Sequence, residues 1–170
     1  MKRRLIVTAV LTLGGAAGLV GTTDVASAGS PDIFIAAKVK GQPFSDVAKF
    51  HLAQGQTKTV KLKVEVSVPE TGAETGRMQQ VFAAPSPECQ GYKFKYFTKN
   101  GTNITSTVTS SDGRTVTVQP DEPKRFTMTV KRPAAADQRT SQIVRVFDEN
   151  DDTSSAFIDV NNGLANCDDP

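Results

Sequence analysis

The chain predicts an all-β protein: a single antiparallel β-sandwich of about eight short strands. Three observations predict it. Apolar residues recur at every second position in several short runs, the period of a strand with one buried face. Prolines and turn-forming pairs punctuate the chain between those runs. Threonine, serine and valine are abundant and good helix patterns are lacking, a composition suited to pleated, half-buried surfaces.

The alternation is clearest in TKTVKLKVEVSV, Thr57 to Val68. Val60, Leu62, Val64, Val66 and Val68 take one side, and Lys61, Lys63, Glu65 and Ser67 the other. Pro69 lacks the ladder donor and ends the strand. Before it, DIFIAAKV (Asp32 to Val39) reads as a first strand, and DVAKFHLA as a short helical turn or an irregular strand. Glu70 to Gly76, ETGAETG, reads as a loop, and Met78 to Ala84 as a strand. In GYKFKYFT (Gly91 to Thr98), Tyr92, Phe94 and Tyr96 oppose Lys93 and Lys95. Asn100-Gly101 is a tight-turn pair, NITSTVTS follows, and Ser111-Asp112-Gly113 marks another turn. Arg114 to Gln119 is a strand closed by Pro120. Lys124 to Lys131 alternates with Phe126, Met128 and Val130 inward. Gln142 to Asp148 and Ala156 to Val160 complete the set.

The first residues carry Lys2, Arg3 and Arg4, then an uncharged, mostly apolar run from Leu5 to Val20, then Ala26-Ser27-Ala28. That three-part pattern is a secretory signal peptide, with cleavage expected after Ala28. The run is short for a membrane span and contains adjacent glycines. No second long apolar stretch follows, so the mature protein is expected to be secreted without a membrane span. Domain organisation is then a leader, 1–28, and one domain, 29–170, with its C-terminal tail held by a disulfide. The leader removes three of the 20 basic residues and one of the 18 acidic ones, Asp24. Seventeen of each sign remain, so overall charge gives no reason to expect a nucleic-acid partner, although local patches are compatible with it. The two cysteines, Cys89 and Cys167, are expected to bridge in an oxidising compartment.

The run YFTKNGTNITSTVTSSDGRTVTVQPDEPKRFTMTVK combines an aromatic strand, a G-x-x-x-T-x-x-V segment from Gly101 to Val108, and a Thr/Val strand. Gln119 to Pro123 then form a turn that leads into a phenylalanine-centred strand. Together with GQTKTVKLKVEV, this resembles the immunoglobulin-like β-sandwich modules of secreted and surface bacterial proteins, especially actinobacterial ones. The resemblance spans roughly Thr57 to Val160. It implies an immunoglobulin-like sandwich that serves as a spacer or binding module, with no shared catalytic residues. The chain departs from the pattern at Pro69-Glu70-Thr71-Gly72, which stand where an Asn-x-Gly is usual, and in having no partner domain.

Candidate chemistry is sparse. His51 is the single histidine. No nucleophile-elbow motif accompanies it, and a zinc site is poorly served, so the chain is expected not to be an enzyme. The acidic stretch FDENDD offers Asp148, Asp151 and Asp152 as calcium ligands, without the loop spacing of an EF-hand. The competing reading is a hairpin turn, which Asp and Asn favour through local hydrogen bonds. Asp159 and Asn161 would join such a site only if the loop folds back. Calcium apart, no cofactor is expected. Tyr92, Tyr96 and Phe97 are candidates for a carbohydrate platform, with core packing as the competing role. Asn103-Ile104-Thr105 fits the glycosylation pattern, and in a chain with a bacterial-type leader it reads as a chance match. The leading function is binding or structural support at the cell envelope, through an envelope component or an extracellular protein. The alternatives are a carbohydrate-binding module and an inhibitor of a secreted enzyme that presents the loop around Pro85–Cys89.

Overall fold

The computed structural model describes residues 32–67, 72–82, 91–136, 139–150 and 152–161. The leader, both cysteines, the Pro85–Cys89 loop and Asp151 lie outside them. In chain order the elements are β1 (Ile33–Val39), β2 (Val47–Phe50), β3 (Thr57–Val66), β4 (Glu74–Phe82), β5 (Lys93–Thr98), α1 (Thr105–Val108), β6 (Arg114–Val118), β7 (Lys124–Lys131), β8 (Thr140–Phe147) and β9 (Thr153–Val160). They form a two-sheet sandwich. One sheet runs β1-β3-β7-β5 and the other β2-β9-β8-β4-β6.

Period-two patterning drives the assembly. β3 buries Val60, Leu62, Val64 and Val66, and β7 buries Phe126, Met128 and Val130. Their register sets Val60 against Met128 and Leu62 against Phe126. The facing sheet contributes Met78, Val144, Val146, Ala156 and Ile158. Each fully buried aliphatic side chain stabilises the fold by roughly 1.5–3 kcal/mol. A polar chain crosses this interior. The Tyr96 hydroxyl donates to Gln80 Oε1 at 2.8 Å, and Gln80 Nε2 donates to Gln142 Oε1 at 2.9 Å. Tyr96 is fully buried, so its hydroxyl needs that acceptor.

The purely antiparallel expectation needs one correction, because β2 pairs with β9 in parallel. After β1 the chain crosses between the sheets, and Ala37 and Ser45 exchange backbone hydrogen bonds at 2.8 and 2.9 Å. It then runs alongside β9 in the same direction. Asn161, just past β9, prolongs the pairing with its side chain. Its Oδ1 accepts from the Leu52 amide at 2.8 Å, and its Nδ2 donates to the Leu52 carbonyl at 3.0 Å. Its φ of 56° lies in the left-handed region that asparagine tolerates.

One local expectation also changes. The loop read over Glu70 to Gly76 gives way at Glu74, where β4 begins and pairs with β6. The Thr75 and Thr117 hydroxyls meet there at 3.0 Å. Gly76 fits because a Cβ at that position would approach the Phe147 carbonyl oxygen to 2.8 Å. NITSTVTS, over which the sequence predicts no element, contains α1, at whose start Asn103 Oδ1 accepts both the Thr105 amide and the Thr105 hydroxyl, at 3.0 and 2.7 Å.

Gly76→Ala is expected to lower unfolding free energy by about 1–3 kcal/mol, the usual penalty of forcing atoms into packed structure, read by urea denaturation. Burial pushes the Tyr96 phenol well above its ordinary 10.0. The folded state therefore keeps a proton that the unfolded chain releases above pH 10, so stability is complete below that pH and declines above it. Tyr96→Phe should flatten that alkaline decline while lowering stability by about 1 kcal/mol at neutral pH.

Candidate functional site

The outer face of the four-stranded sheet carries the strongest concentration of one charge sign among the described residues. Alternation sends Lys38 of β1, Lys61 and Lys63 of β3, Arg125 and Lys131 of β7, and Lys93 and Lys95 of β5 to this side. The strands set one acid among them, Glu65, which pairs with Lys63 at 2.6 Å. Register sharpens the concentration. Lys38 stands directly opposite Lys61, Lys63 opposite Arg125, and Lys93 opposite Lys131. Like charges placed directly across a ladder destabilise a sheet by roughly 0.2–1 kcal/mol per pair. Packing alone gives no reason for three such pairs on one face.

Phe44, from the loop between β1 and β2, lies over the centre of this field. The Lys38 and Lys63 ammonium groups sit 4.6 and 5.2 Å from its ring centroid, and the Arg125 guanidinium 5.9 Å. The electron-rich ring face offsets part of the mutual repulsion. Beside it a cavity of about 280 Å3 is lined by Lys38, Lys61, Lys99 and Arg125, with Phe44, Leu62, Phe126 and Thr127. Lys61 Nζ donates to Thr127 Oγ1 at 3.1 Å. Among the described residues, no acidic side chain lines the cavity. A second, wider cleft of about 680 Å3 shares Lys99, Arg125 and Phe126 with it and continues past Lys124 and Arg114, with Glu122 as its acid. Such an arrangement holds anions by direct ammonium and guanidinium contacts.

The sites expected from sequence fare differently. Tyr92, Tyr96 and Phe97 do not form one platform. Tyr96 is fully buried between the sheets. Tyr92 stacks on Phe94 with centroids 6.5 Å apart, and both pack on the core. Phe97 follows Tyr96 directly and so faces the opposite side of the sheet. Tyr92, Phe94 and Tyr96 thus take the core role while Phe97 faces away from it, and the three rings do not share one surface.

Asp148 organises the turn between β8 and β9. It is 7% exposed, and its Oδ1 accepts the amides of Asn150 and Asp152 at 2.8 and 3.1 Å. Its Oδ2 accepts the Asp32 amide at 3.4 Å. This carboxylate is engaged by backbone donors, as in an Asx turn. Among the described residues no three His, Cys, Asp or Glu side chains gather in a metal-holding group. Asp159 and Asn161 do not fold back towards the turn. Thr153 pairs with Phe147 at the turn end, whereas Asp159 pairs with Ser141, about 20 Å further along the strand.

His51 is exposed after β2, and among the described residues the charged ones that share its shallow cleft are Arg132 and Arg139.

No family model matches the chain, and no curated protein matches it. Among solved structures it is similar in shape to a family 123 glycoside hydrolase from Clostridium perfringens, at 6% identity and a TM-score of 0.44. The match covers 75% of this chain and 27% of that one. A conjugative transposon lipoprotein from Bacteroides eggerthii matches at 17% identity over 77% of this chain and 98% of its own, with a TM-score of 0.40. A conjugate transposon protein from Bacteroides vulgatus matches at 13% identity over 81% and 90%, with a TM-score of 0.42.

The like-charge register makes stability salt-dependent in a particular direction. Raising NaCl from ~10 to ~150 mM shortens the screening length from about 30 to about 8 Å, and the melting temperature should rise. Lys93→Thr, which relieves the pair with Lys131, should stabilise the protein at low salt by a few tenths of a kcal/mol and weaken its response to salt.

Proposed function

We propose that this chain is an exported, non-catalytic binding module that attaches to an anionic component of the cell envelope through the outer face of its four-stranded sheet. The observation that carries the reading is the set of three directly opposed cation pairs on one face. The chain's charges otherwise balance once its leader is removed. A face that opposes its own folding gains its use from a counter-charge supplied by a partner. The leader pattern supports export. Calcium has no part in this reading.

The expected Cys89–Cys167 bridge belongs to the same proposal. Tyr92 and Asn161 meet at one end of the sandwich, the Tyr92 hydroxyl 3.5 Å from Asn161 Nδ2. Cys89 lies three residues before the first and Cys167 six after the second. Those lengths of chain reach about 10 and about 20 Å, enough to bring the thiols together. The native protein should take up no thiol reagent until reduced. Reduction should lower unfolding free energy by about 2–4 kcal/mol.

The function is tested by co-sedimenting oxidised mature protein with purified cell envelopes. Retention is expected at ~50 mM salt, with most of it lost by ~500 mM and no change on adding chelator. A Lys61→Gln/Lys63→Gln/Lys93→Gln/Lys95→Gln variant should stay in the supernatant. Wild-type protein that fails to sediment at low salt, or that sediments as well after these changes, would overturn the reading.

A further inference from the structure

Resting on that reading, we propose that the cavity beside Phe44 is a discrete phosphoryl-binding socket, and that the ligand is a phosphodiester-linked polymer without bases. The socket is distinct from the rest of the basic face. Lys38, Lys61, Lys99 and Arg125 line one cavity of about 280 Å3 with no acid among the described residues, whereas Lys63 is already paired with Glu65. The four cations arrive from β1, β3, β7 and the end of β5. They can meet an anion from several directions, which suits the splayed oxygens of a tetrahedral phosphoryl group better than a planar carboxylate. The Thr127 hydroxyl, already placed by Lys61, adds a polar contact at the wall.

A polymer fits better than a single ion because the socket opens into the longer cleft. There Lys99 and Arg125 are followed by Lys124 and Arg114, a second set of cations for the next phosphoryl group. Absence of bases follows from the rings. Proteins that grip single-stranded nucleic acid offer free aromatic faces for stacking. Here Phe44 is already faced by Lys38, Lys63 and Arg125. Phe34 and Phe97 lie on the same outer face, but neither ring lines the socket or the longer cleft.

The test uses the oxidised mature protein and long-chain inorganic polyphosphate as probe, with affinity measured by calorimetry at ~50 mM salt. Lys61→Gln/Lys99→Gln removes two socket cations. Lys93→Gln/Lys95→Gln removes the same charge from the same face outside it. The socket variant should lose about tenfold or more in affinity and the outside variant about threefold or less, as expected when direct charge-assisted contacts are separated from diffuse attraction. A Lys38→Gln variant provides a second socket change should the first pair unfold, as judged by circular dichroism. Equal losses from the two double variants would overturn the socket while leaving the basic face as the envelope-binding surface. No polyphosphate binding, together with retained envelope co-sedimentation, would overturn the phosphoryl assignment alone. Equal affinity for hyaluronate or dextran sulfate would do the same. Tighter binding of single-stranded DNA than of polyphosphate at equal charge would overturn the base-free ligand.

Discussion

The pleat of β3 and β7 is the constraint on which the rest of this molecule depends. These strands form the middle of the four-stranded sheet, and each residue on them must choose between the core and the outside. Val60, Leu62, Val64, Phe126, Met128 and Val130 all need burial. Once they are placed inward, Lys61, Lys63, Arg125 and Lys131 have no other side to take. A slip of one residue would bury those cations, so the hydrophobic requirement that builds the core also fixes the position of every charge on the outer face. Core and candidate site are two sides of one register.

The interior has its own polar constraint. Tyr96, Gln80 and Gln142 link the sheets by hydrogen bonds, with Tyr96 and Gln142 buried. Unlike the aliphatic contacts around it, this chain has directional requirements. It tolerates little relative sliding of the two layers, which favours one packing arrangement over near neighbours. Asp148 acts similarly at the edge, where it gathers the amides of its own turn and reaches across to Asp32.

Much of the fold was legible because alternation is a local signal. The strand from Thr57, the inward triad of β7 and the division of β5 into aromatic and lysine sides all follow from adjacent residues. Less was legible where distant chain decides the outcome. β2 has four residues and is a strand because β9 receives it, which DVAKFHLA does not announce. Glu74 and Thr75 read as loop until β6 is beside them, and Gly76 reads as a loop residue until the nearness of Phe147 explains it. The basic face was half visible. Each strand displayed its lysines on the polar side, but sequence does not say that β3, β7 and β5 are neighbours, nor that Lys38 lies opposite Lys61. Overall neutrality hid the concentration, because net charge averages over surfaces that a partner meets one at a time. The aromatic candidates failed for the converse reason. Adjacent positions such as Tyr96 and Phe97 look like a cluster in a sequence and are separated by the thickness of the sheet.

The parallel pairing of β2 with β9, prolonged by the Asn161 clamp on Leu52, has a consequence for how the chain reaches its native state. β2 is among the first strands to leave the ribosome and β9 is the last. The edge of the five-stranded sheet therefore has no partner for β2 until the C-terminal strand exists. Contacts of such long sequence separation form late and slowly. The β1-β3-β7-β5 sheet can pair before then, whereas the five-stranded sheet waits for its central strands β8 and β9. The strand that completes the sheet thereby also sets the time at which folding can finish.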